Sequence, residues 1–181
     1  MWRVATSRVQ GSTDARVARS RAALVDAAED VLDEGCWSEL TIRGLCTRAG
    51  ISRPTFYQHF TSPEDLLAAT IRHRLDQADA GLCRTADVPE RLAAALDRLD
   101  AEREEYASLA AHPTVYAQVQ AAFQDWLAGR LHAHYPDARD VVIAYAVGGI
   151  ARVMGEWLAA GPGDRPSSEE LARTLWILNR T

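Results

Sequence analysis

Residues 41–60, TIRGLCTRAGISRPTFYQHF, decide the fold of this 181-residue chain. Thr41 is a favoured N-cap residue, and the apolar side chains behind it recur with helical spacing at Ile42, Leu45, Cys46 and Ala49. Gly50 ends that first helix. Ser52 caps a second helix over about 53–58, and Pro54 lies in its first turn, where a missing N–H costs no hydrogen bond. Two helices joined by a short turn that holds a glycine predict a helix-turn-helix.

Hydrogen-bonding side chains crowd the second helix of this motif, at Arg53, Thr55, Tyr57, Gln58 and His59. Such a helix can enter the major groove of DNA, where a threonine methyl contacts thymine and a glutamine binds adenine. Arginine, tyrosine and histidine can bind phosphate oxygens. Three apolar residues are expected to hold the helix against its neighbours, namely Ile51, Phe56 and Phe60. The polar residues are therefore candidate DNA contacts, and the alternative is an ordinary solvated face on a small helical bundle.

The run from residue 40 to residue 67, LTIRGLCTRAGISRPTFYQHFTSPEDLL, resembles the DNA-binding segment of the tetracycline-repressor (TetR) family of bacterial regulators. The specific parts of the resemblance are residues 41–43, 49–52, 55–60 and 65–66. It implies an all-α protein with an N-terminal DNA-binding domain and a C-terminal domain for ligand binding and dimerisation. It also adds Thr41, Arg43 and Ser52 to the expected DNA contacts. One position departs from the family, which often has a phosphate-binding lysine where this chain has Pro63.

Charge is unevenly divided along the chain. The net charge is −5 at pH 7, and no lysine occurs among the 20 basic residues, which are all arginines. Residues 1–60 hold eight arginines and seven acids, for a net +1, whereas residues 61–181 hold 12 arginines and 18 acids, for a net −6. This balance argues against a protein that coats nucleic acid, and it leaves a weak basic bias in the part where DNA contact is expected.

Helical spacing, caps and breakers divide the chain into four parts. Residues 1–14 lack periodicity and are predicted to form a flexible arm, or alternatively an arginine-bearing arm that follows DNA into the minor groove. Residues 15–61 form the helix-turn-helix domain, with a bracing helix over about 15–34. Residues 62–85 form a connecting helix that Ser62 caps. Residues 86–181 form the regulatory and dimerisation domain, with helices over about 90–110, 114–134, 140–160 and 167–178.

The last two helices are predicted to pair with a second copy of the chain. Residues 140–160 carry only Arg152 and Glu156 as charges after the first residue, and such a helix needs burial on nearly all sides. The TetR resemblance implies the same arrangement, a four-helix bundle made by two subunits. The residues expected in this interface are Val147, Ile150, Met154, Trp157, Leu171, Leu175 and Leu178.

A small-molecule effector is expected from the resemblance, because family members enclose one among the helices that correspond to residues 90–134. The side chains there that suit an apolar or aromatic molecule are Tyr106, His112, Tyr116, Phe123, Gln124 and Trp126. Ordinary core packing explains each of these side chains equally well, so both interpretations stay open at this level.

Motifs for catalysis, metals and cofactors are not found in the sequence. None of the five histidines belongs to an HExxH motif, and His132 and His134 project from different sides of a predicted helix. There is no GxGxxG motif or P-loop, so we expect no cofactor. Cys36, Cys46 and Cys83 show no CxxC spacing and suggest neither a disulfide framework nor a zinc site. Cys46 is expected in the core, and a redox-sensing thiol is the alternative.

No targeting or membrane segment is expected. Residues 1–13 lack the apolar stretch of a signal peptide, and the most apolar run, residues 141–151, has about half of the roughly 20 residues that a membrane-spanning helix needs. The sequence therefore predicts a cytoplasmic protein that does not bind membranes.

Together these features predict a homodimeric transcriptional regulator, a ligand-responsive repressor that binds a palindromic DNA operator. Catalytic function is not expected. The competing hypothesis is a TetR-shaped module that binds proteins or small molecules but has lost operator binding. The salt dependence of DNA retention distinguishes the two, because a protein that neutralises phosphates loses affinity steeply as salt rises.

Overall fold

Helices account for the regular structure of this chain. The computed structural model describes residues 7–80, 87–161 and 163–178, and within these ranges it contains no strand. The helices are α1 (Ser7–Asp33), α2 (Ile42–Ala49), α3 (Arg53–Tyr57), α4 (Pro63–Ala80), α5 (Val88–Ala101), α6 (Arg103–Ala110), α7 (Pro113–His134), α8 (Asp140–Ala159) and α9 (Ser168–Leu178), with a single 3-10 turn at Trp37–Glu39. The predicted all-α class is confirmed.

The chain divides into two compact units, Met1–Thr70 and Ile71–Thr181. The division falls inside α4, so this helix contributes residues to both units, whereas the sequence predicts a separate connecting helix between two domains. The predicted end of the connecting helix, at residue 85, lies outside the described residues.

The first unit is built around a core that α1 shares with the helix-turn-helix. Its α1 packs against α2, and α2 packs against α3. The buried side chains of this core are Leu24, Val25, Ala28, Val31, Leu45, Cys46, Phe56, Phe60 and Leu66. The expectation that Cys46 is a small core residue is therefore confirmed.

Local capping sets the helix boundaries of the first unit. The Thr41 hydroxyl accepts a hydrogen bond from the Gly44 amide (3.1 Å), and the Ser52 hydroxyl accepts one from the Thr55 amide (3.3 Å). Ser62 caps α4 in the same way through the Asp65 amide (3.2 Å). Gly50 ends α2 in the left-handed conformation, with φ 65°, which glycine adopts without a steric penalty. The predicted helix-turn-helix is confirmed at each of these boundaries.

The first helix is longer than its sequence pattern predicts. It begins at Ser7 rather than near residue 15, so the prediction of a flexible arm is wrong for residues 7–14. Residues 1–6 lie outside the described part of the chain. Helix propagation adds a hydrogen bond for each residue fixed once the packed part has nucleated, and it therefore does not need a continued apolar stripe.

The second unit has a core formed chiefly by α5, α8 and α9. Its buried members are Leu96, Trp157, Leu171, Ala172 and Leu175. The single helix predicted over residues 90–110 is instead two helices, because the backbone at Glu102 leaves helical geometry (φ −97°, ψ 16°). Arg103, the first residue of α6, then donates to the last carbonyl oxygens of α8, at Trp157 (3.2 Å), Ala160 (2.8 Å) and Leu158.

Most of the residues predicted to form the dimer interface are buried within the single chain. Val147, Trp157, Leu171 and Leu175 are buried within the chain, and Ile150 and Met154 are half-buried against the core of the second unit. Residues that are buried within the chain offer little apolar surface to another subunit, so the burial of these four argues against their part in the interface, which stays a prediction. Leu178 alone of the predicted set is largely exposed.

Helix α8 also differs from the expectation that no segment is long enough to span a membrane. It has 20 residues and is long and apolar enough to cross a membrane by length and composition only, a test that the core helix of a soluble protein also passes. The uncharged run of residues 141–151, on which the prediction rests, ends at Arg152. Arg152 and Glu156 form an i,i+4 pair (2.7 Å), and the helix continues past them.

Candidate nucleic-acid interface

Helix α3 is a five-residue helix with one buried and one exposed side. Phe56 is buried on its inner side, and its ring meets the Tyr57 ring edge-on (5.7 Å between centroids, 87°). Tyr57 is 58% exposed on the outer side. The buried phenylalanine therefore fixes a helix whose opposite surface is free to meet a partner.

The eight predicted DNA contacts fall into two groups by their hydrogen bonding. Arg43, Arg53, Tyr57 and Gln58 are exposed, and no hydrogen bond ties their side chains to other described residues. The remaining four already have side-chain partners within the unit, at Thr41, Ser52, Thr55 and His59.

Hydroxyl groups of the second set stabilise the motif itself. Thr41 and Ser52 cap α2 and α3 and stay exposed, whereas Thr55 is half-buried with its hydroxyl 2.8 Å from that of Ser52. A hydroxyl has two acceptor lone pairs as well as one donor, so capping leaves it able to bind a further group.

His59 lies at the junction of α3 and α1. Its Nε2 is 2.7 Å from the hydroxyl of Ser20, and its side chain is half-buried. Sequence reasoning missed this partner, because Ser20 precedes His59 by 39 residues. The hydrogen bond fixes the orientation of the imidazole ring at the end of α3.

An ion-pair network that the sequence did not predict holds the segment before α2. The Arg48 guanidinium donates to both oxygens of Glu34 (2.8 Å each) and to Glu39 (2.9 Å). The hydrogen bonds from Arg48 lower the pKa of the Glu34 carboxyl. Arg48 is therefore engaged by two carboxylates and is a poor candidate for a phosphate contact. It lines a shallow cavity of about 500 Å³ together with Ser38, Glu39, Thr41, Arg43, Gly44 and Thr47.

Comparison with known proteins identifies this helix-turn-helix. Residues 24–70 match the model of the family described as bacterial regulatory proteins, tetR family. Over these residues the chain is similar to the DNA-binding segment of the TetR family. The HTH-type transcriptional regulator EthR of Mycobacterium tuberculosis is 36% identical over 67 residues, which cover 37% of this chain and 31% of EthR. EthR of Mycolicibacterium smegmatis is 38% identical over 60 residues, which cover 33% of this chain and 28% of that protein. The match thus spans about a third of these TetR-family relatives.

Solved structures of TetR-family proteins share the fold over nearly the whole chain. A TetR transcriptional regulator from Streptococcus agalactiae has a TM-score of 0.58 at 19% identity, covering 94% of this chain and 98% of that one. The TetR family repressor AlkX from a Dietzia strain has a TM-score of 0.54 at 16% identity, covering 88% and 93%. At these identities the likeness concerns the fold alone, and it extends the TetR architecture through the second unit.

The predicted effector-binding residues do not come together in one pocket. Tyr116 and Gln124 line an open groove of about 480 Å³ between α7 and α8, where Gln120 donates to the Tyr116 hydroxyl (2.8 Å). The other side of the groove is formed by residues of α8, namely Gly148, Ala151, Arg152, Gly155, Glu156 and Ala159. Tyr106, His112, Phe123 and Trp126 are not part of its lining.

Trp126 belongs instead to an ion-pair network that joins α4, α5 and α7. Its indole N–H donates to Asp76 (2.9 Å), and Arg130 binds both Asp76 (2.9 Å) and Asp79 (3.0 Å). Arg91 completes the network through Asp79 (3.2 Å). The hydrogen bonds from Trp126 and Arg130 lower the pKa of the Asp76 carboxyl. This network fixes the C-terminal part of α4 to the other helices of the second unit.

Neither thiol in the described ranges has the setting of a redox sensor. Burial raises the pKa of Cys46, and burial together with the neighbouring Glu34 carboxylate raises the pKa of Cys36. A raised pKa disfavours the reactive thiolate. Cys83 lies outside the described residues. Groups of three or more His, Cys, Asp or Glu side chains that could hold a metal ion are likewise not found within the part of the chain that the structure describes.

Proposed function

We propose that this chain is a transcriptional regulator that binds an inverted-repeat DNA operator as a homodimer and responds to a small molecule. The observation that carries the proposal is the exposed side of α3. There Arg53, Tyr57 and Gln58 face solvent on a helix held by buried Phe56, within the segment that matches the TetR model.

The proposed contacts divide by chemistry into positioning and reading groups. Tyr57 and His59 bind phosphates, and Thr55 or Gln58 contacts base edges in the major groove. Arg43 and Arg53 supply charge for further phosphates, and the capping hydroxyls of Thr41 and Ser52 border the same surface. Phosphate contacts set affinity and position, whereas base contacts set sequence preference.

The proposed dimer uses the exposed faces of α8 and α9. Large apolar side chains there are mostly in solvent, with Val141 64%, Tyr145 84%, Ile177 65% and Leu178 67% exposed. Large apolar side chains left this exposed are typical of interaction sites in soluble proteins. A two-fold pairing of these helices covers that surface and presents two identical α3 helices to the DNA. It also accounts for the apolar character of α8 in a protein that we place in the cytoplasm.

The groove between α7 and α8 is the proposed effector site. Its volume lies within the range of small-molecule sites, and it combines small residues with hydrogen-bonding groups at Tyr116, Gln120 and Gln124. This lining suits a largely apolar molecule with a few hydrogen-bonding atoms.

The experiment that tests the function selects fragments of the source genome that the purified protein retains, followed by salt titrations on the recovered sequence. Tyr57→Phe should weaken binding to all sequences alike, because one hydrogen bond to a phosphate is lost. Gln58→Ala should instead relax preference at particular base pairs, at a cost of roughly 1 to 3 kcal/mol. Retention of no fragment, or retention that salt does not weaken, would favour the alternative of a TetR-shaped module without operator binding.

A further inference from the structure

The first helix separates its charges along its length. Within residues 15–33, the first eleven positions carry three arginines and no acid, and the remaining eight carry four acids and no arginine. The arginines are Arg16, Arg19 and Arg21, and the acids are Asp26, Glu29, Asp30 and Asp33. All three arginines are exposed. Residues 15–25, here called the basic half, are therefore basic and residues 26–33 are acidic, while Arg8 and Asp14 precede this stretch.

This distribution does not serve the stability of the helix. Acids are favourable near the N-terminus of a helix and cations near its C-terminus, whereas α1 has no acid in its first turn and no base in its last turn. Among the described side chains none forms an ion pair with Arg16, and Arg19 uses its Nε to bind the Ala15 carbonyl oxygen (3.2 Å). The basic half is therefore left with unneutralised charge.

Two contacts fix where this basic half lies. Ser20 bonds His59 (2.7 Å), and the Arg21 guanidinium lies 5.3 Å from the centroid of the Phe60 ring. Both partners directly follow α3. Arg16 precedes Ser20 by four residues, so it lies on the same face of α1 at a distance of roughly 6 Å along the axis. This part of α1 therefore lies next to the C-terminal end of α3, the helix that we propose to contact DNA bases.

Apolar packing ends where the basic surface begins. Val17 lies between Arg16 and Ser20 in the sequence and is 46% exposed, whereas Leu24 and Ala28, farther along the helix, are fully buried. At Arg16 and Arg19 the helix therefore presents its charged side chains to solvent.

We propose that Arg16 and Arg19, which lie three residues apart on one side of α1, form a second phosphate-binding surface that contacts the backbone of duplex DNA flanking the groove occupied by α3. This rests on the proposed function in that the same duplex is the partner. Phosphate is the chemistry that a row of exposed arginines recognises, since the guanidinium fork binds its oxygens in a bidentate manner. Because backbone contacts carry no sequence information, the surface adds affinity for any duplex.

The test uses the full chain and a 30-base-pair duplex of mixed sequence, with binding measured by fluorescence anisotropy over a series of salt concentrations. Each phosphate neutralised contributes about 0.9 to the slope of log K against log salt. Arg16→Gln combined with Arg19→Gln should make the slope shallower by about 1 to 2. Arg16→Lys combined with Arg19→Lys should keep it near the original value, because lysine also neutralises a phosphate. Glutamine and lysine are good helix formers, and circular dichroism should show unchanged helix content.

The matched control is Arg98→Gln, which removes one exposed arginine from α5 in the other unit. It should leave the slope unchanged. An unaltered slope in the double glutamine variant, or an equal loss in Arg98→Gln, would overturn the second surface while the proposed regulator stands. An original protein with no salt-dependent binding to any duplex would overturn both proposals.

Discussion

Gly44 lies where α2 passes the 3-10 turn, and a larger residue does not fit there. A Cβ at this position would overlap the Glu39 carbonyl oxygen and would lie 3.1 Å from the carbonyl carbon of the same residue, which is closer than van der Waals contact. That backbone cannot easily move away, because Arg48 holds the Glu39 side chain (2.9 Å). The close approach of two backbones therefore depends on the missing side chain.

We expect Gly44→Ala to destabilise the first unit by roughly 1 to 3 kcal/mol, as overpacked sites do. This loss should occur although alanine has the higher helix propensity. The matched control is Gly129→Ala in α7, where an added Cβ meets no atom within 4 Å. The control should gain up to about 1 kcal/mol. Urea unfolding followed by circular dichroism measures both, and a Gly44→Ala protein as stable as the control would contradict the close approach.

A network around Trp157 joins four elements of the second unit. Asp100 of α5 binds Arg103 of α6 (2.8 Å) and Arg165 of the loop before α9 (2.8 Å). Both guanidinium groups lie near the indole ring of Trp157 in α8, at 5.4 and 4.4 Å from its centroid. The indole N–H donates to the Pro166 carbonyl oxygen (2.8 Å). Removal of the Asp100 carboxylate should therefore weaken the packing of α8 against the loop that leads into α9.

The stability that Asp100 contributes should depend on pH. Hydrogen bonds from Arg165 and Arg103 lower the pKa of this carboxyl in the folded protein. Its contribution is thus fully present above the unfolded pKa of about 3.9, and it is lost as the pH falls through the lower folded value.

Thermal unfolding midpoints should show Asp100→Asn to be less stable than the original protein at pH 7, with the difference narrowing below about pH 4. The control is Asp97→Asn, which alters an exposed carboxylate on the same helix. A difference that stays constant from pH 7 to pH 3 would contradict the role of the charge.

Elements that depend on neighbouring residues were predictable from the sequence, and those that depend on distant ones were not. Thr41, Ser52 and Ser62 each cap a helix through an amide three residues later, so their roles follow from local chemistry. The break at Glu102 accompanies contacts of Arg103 with carbonyls more than 50 residues away. Trp126 likewise binds Asp76 at a separation of 50 residues, whereas the family resemblance and its aromatic side chain favour a place in a ligand pocket.

In the molecule as a whole, large apolar side chains of α8 and α9 stay exposed to solvent, because no other part of the described chain covers them. The buried half of α8 packs within the protomer through Ile143, Val147, Ala151 and Trp157. Val141 and Tyr145 lie on its other half, and Ile177 and Leu178 lie on the exposed side of α9. Sequence patterning correctly indicated two strongly apolar helices. It could not separate the residues that fill the protomer core from those left for a partner, because both kinds are apolar.

Changing Ile177 to glutamate should therefore separate the proposed dimer without damaging the core. The side chain is 65% exposed, so a charge there costs little in the free protomer but is unfavourable in an apolar interface. Sedimentation should give the mass of one subunit, with helix content retained, and operator affinity should fall by about 100-fold or more as the second half-site is lost. Val88→Glu, which alters an exposed apolar residue on α5, is the control and should stay dimeric. If the Ile177→Glu protein were still a dimer, the interface would not include the exposed side of α9.

Coupling between effector and operator is the last consequence of the proposed assembly. A two-fold dimer binds an inverted repeat only when its two α3 helices match the groove repeat of roughly 34 to 36 Å, or a multiple of it. An effector that binds better to a dimer with another spacing shifts the population away from the DNA-binding state. Linkage requires that operator DNA weaken effector binding by the same factor as the effector weakens operator binding.

Titration of a molecule found by thermal-shift screening, with and without operator, should give effector affinities that differ by about 5- to 150-fold. Tyr116→Ala should abolish the binding if the groove between α7 and α8 is the site. Equal affinities in the two titrations would show that the molecule is not an effector, whatever its affinity for the protein.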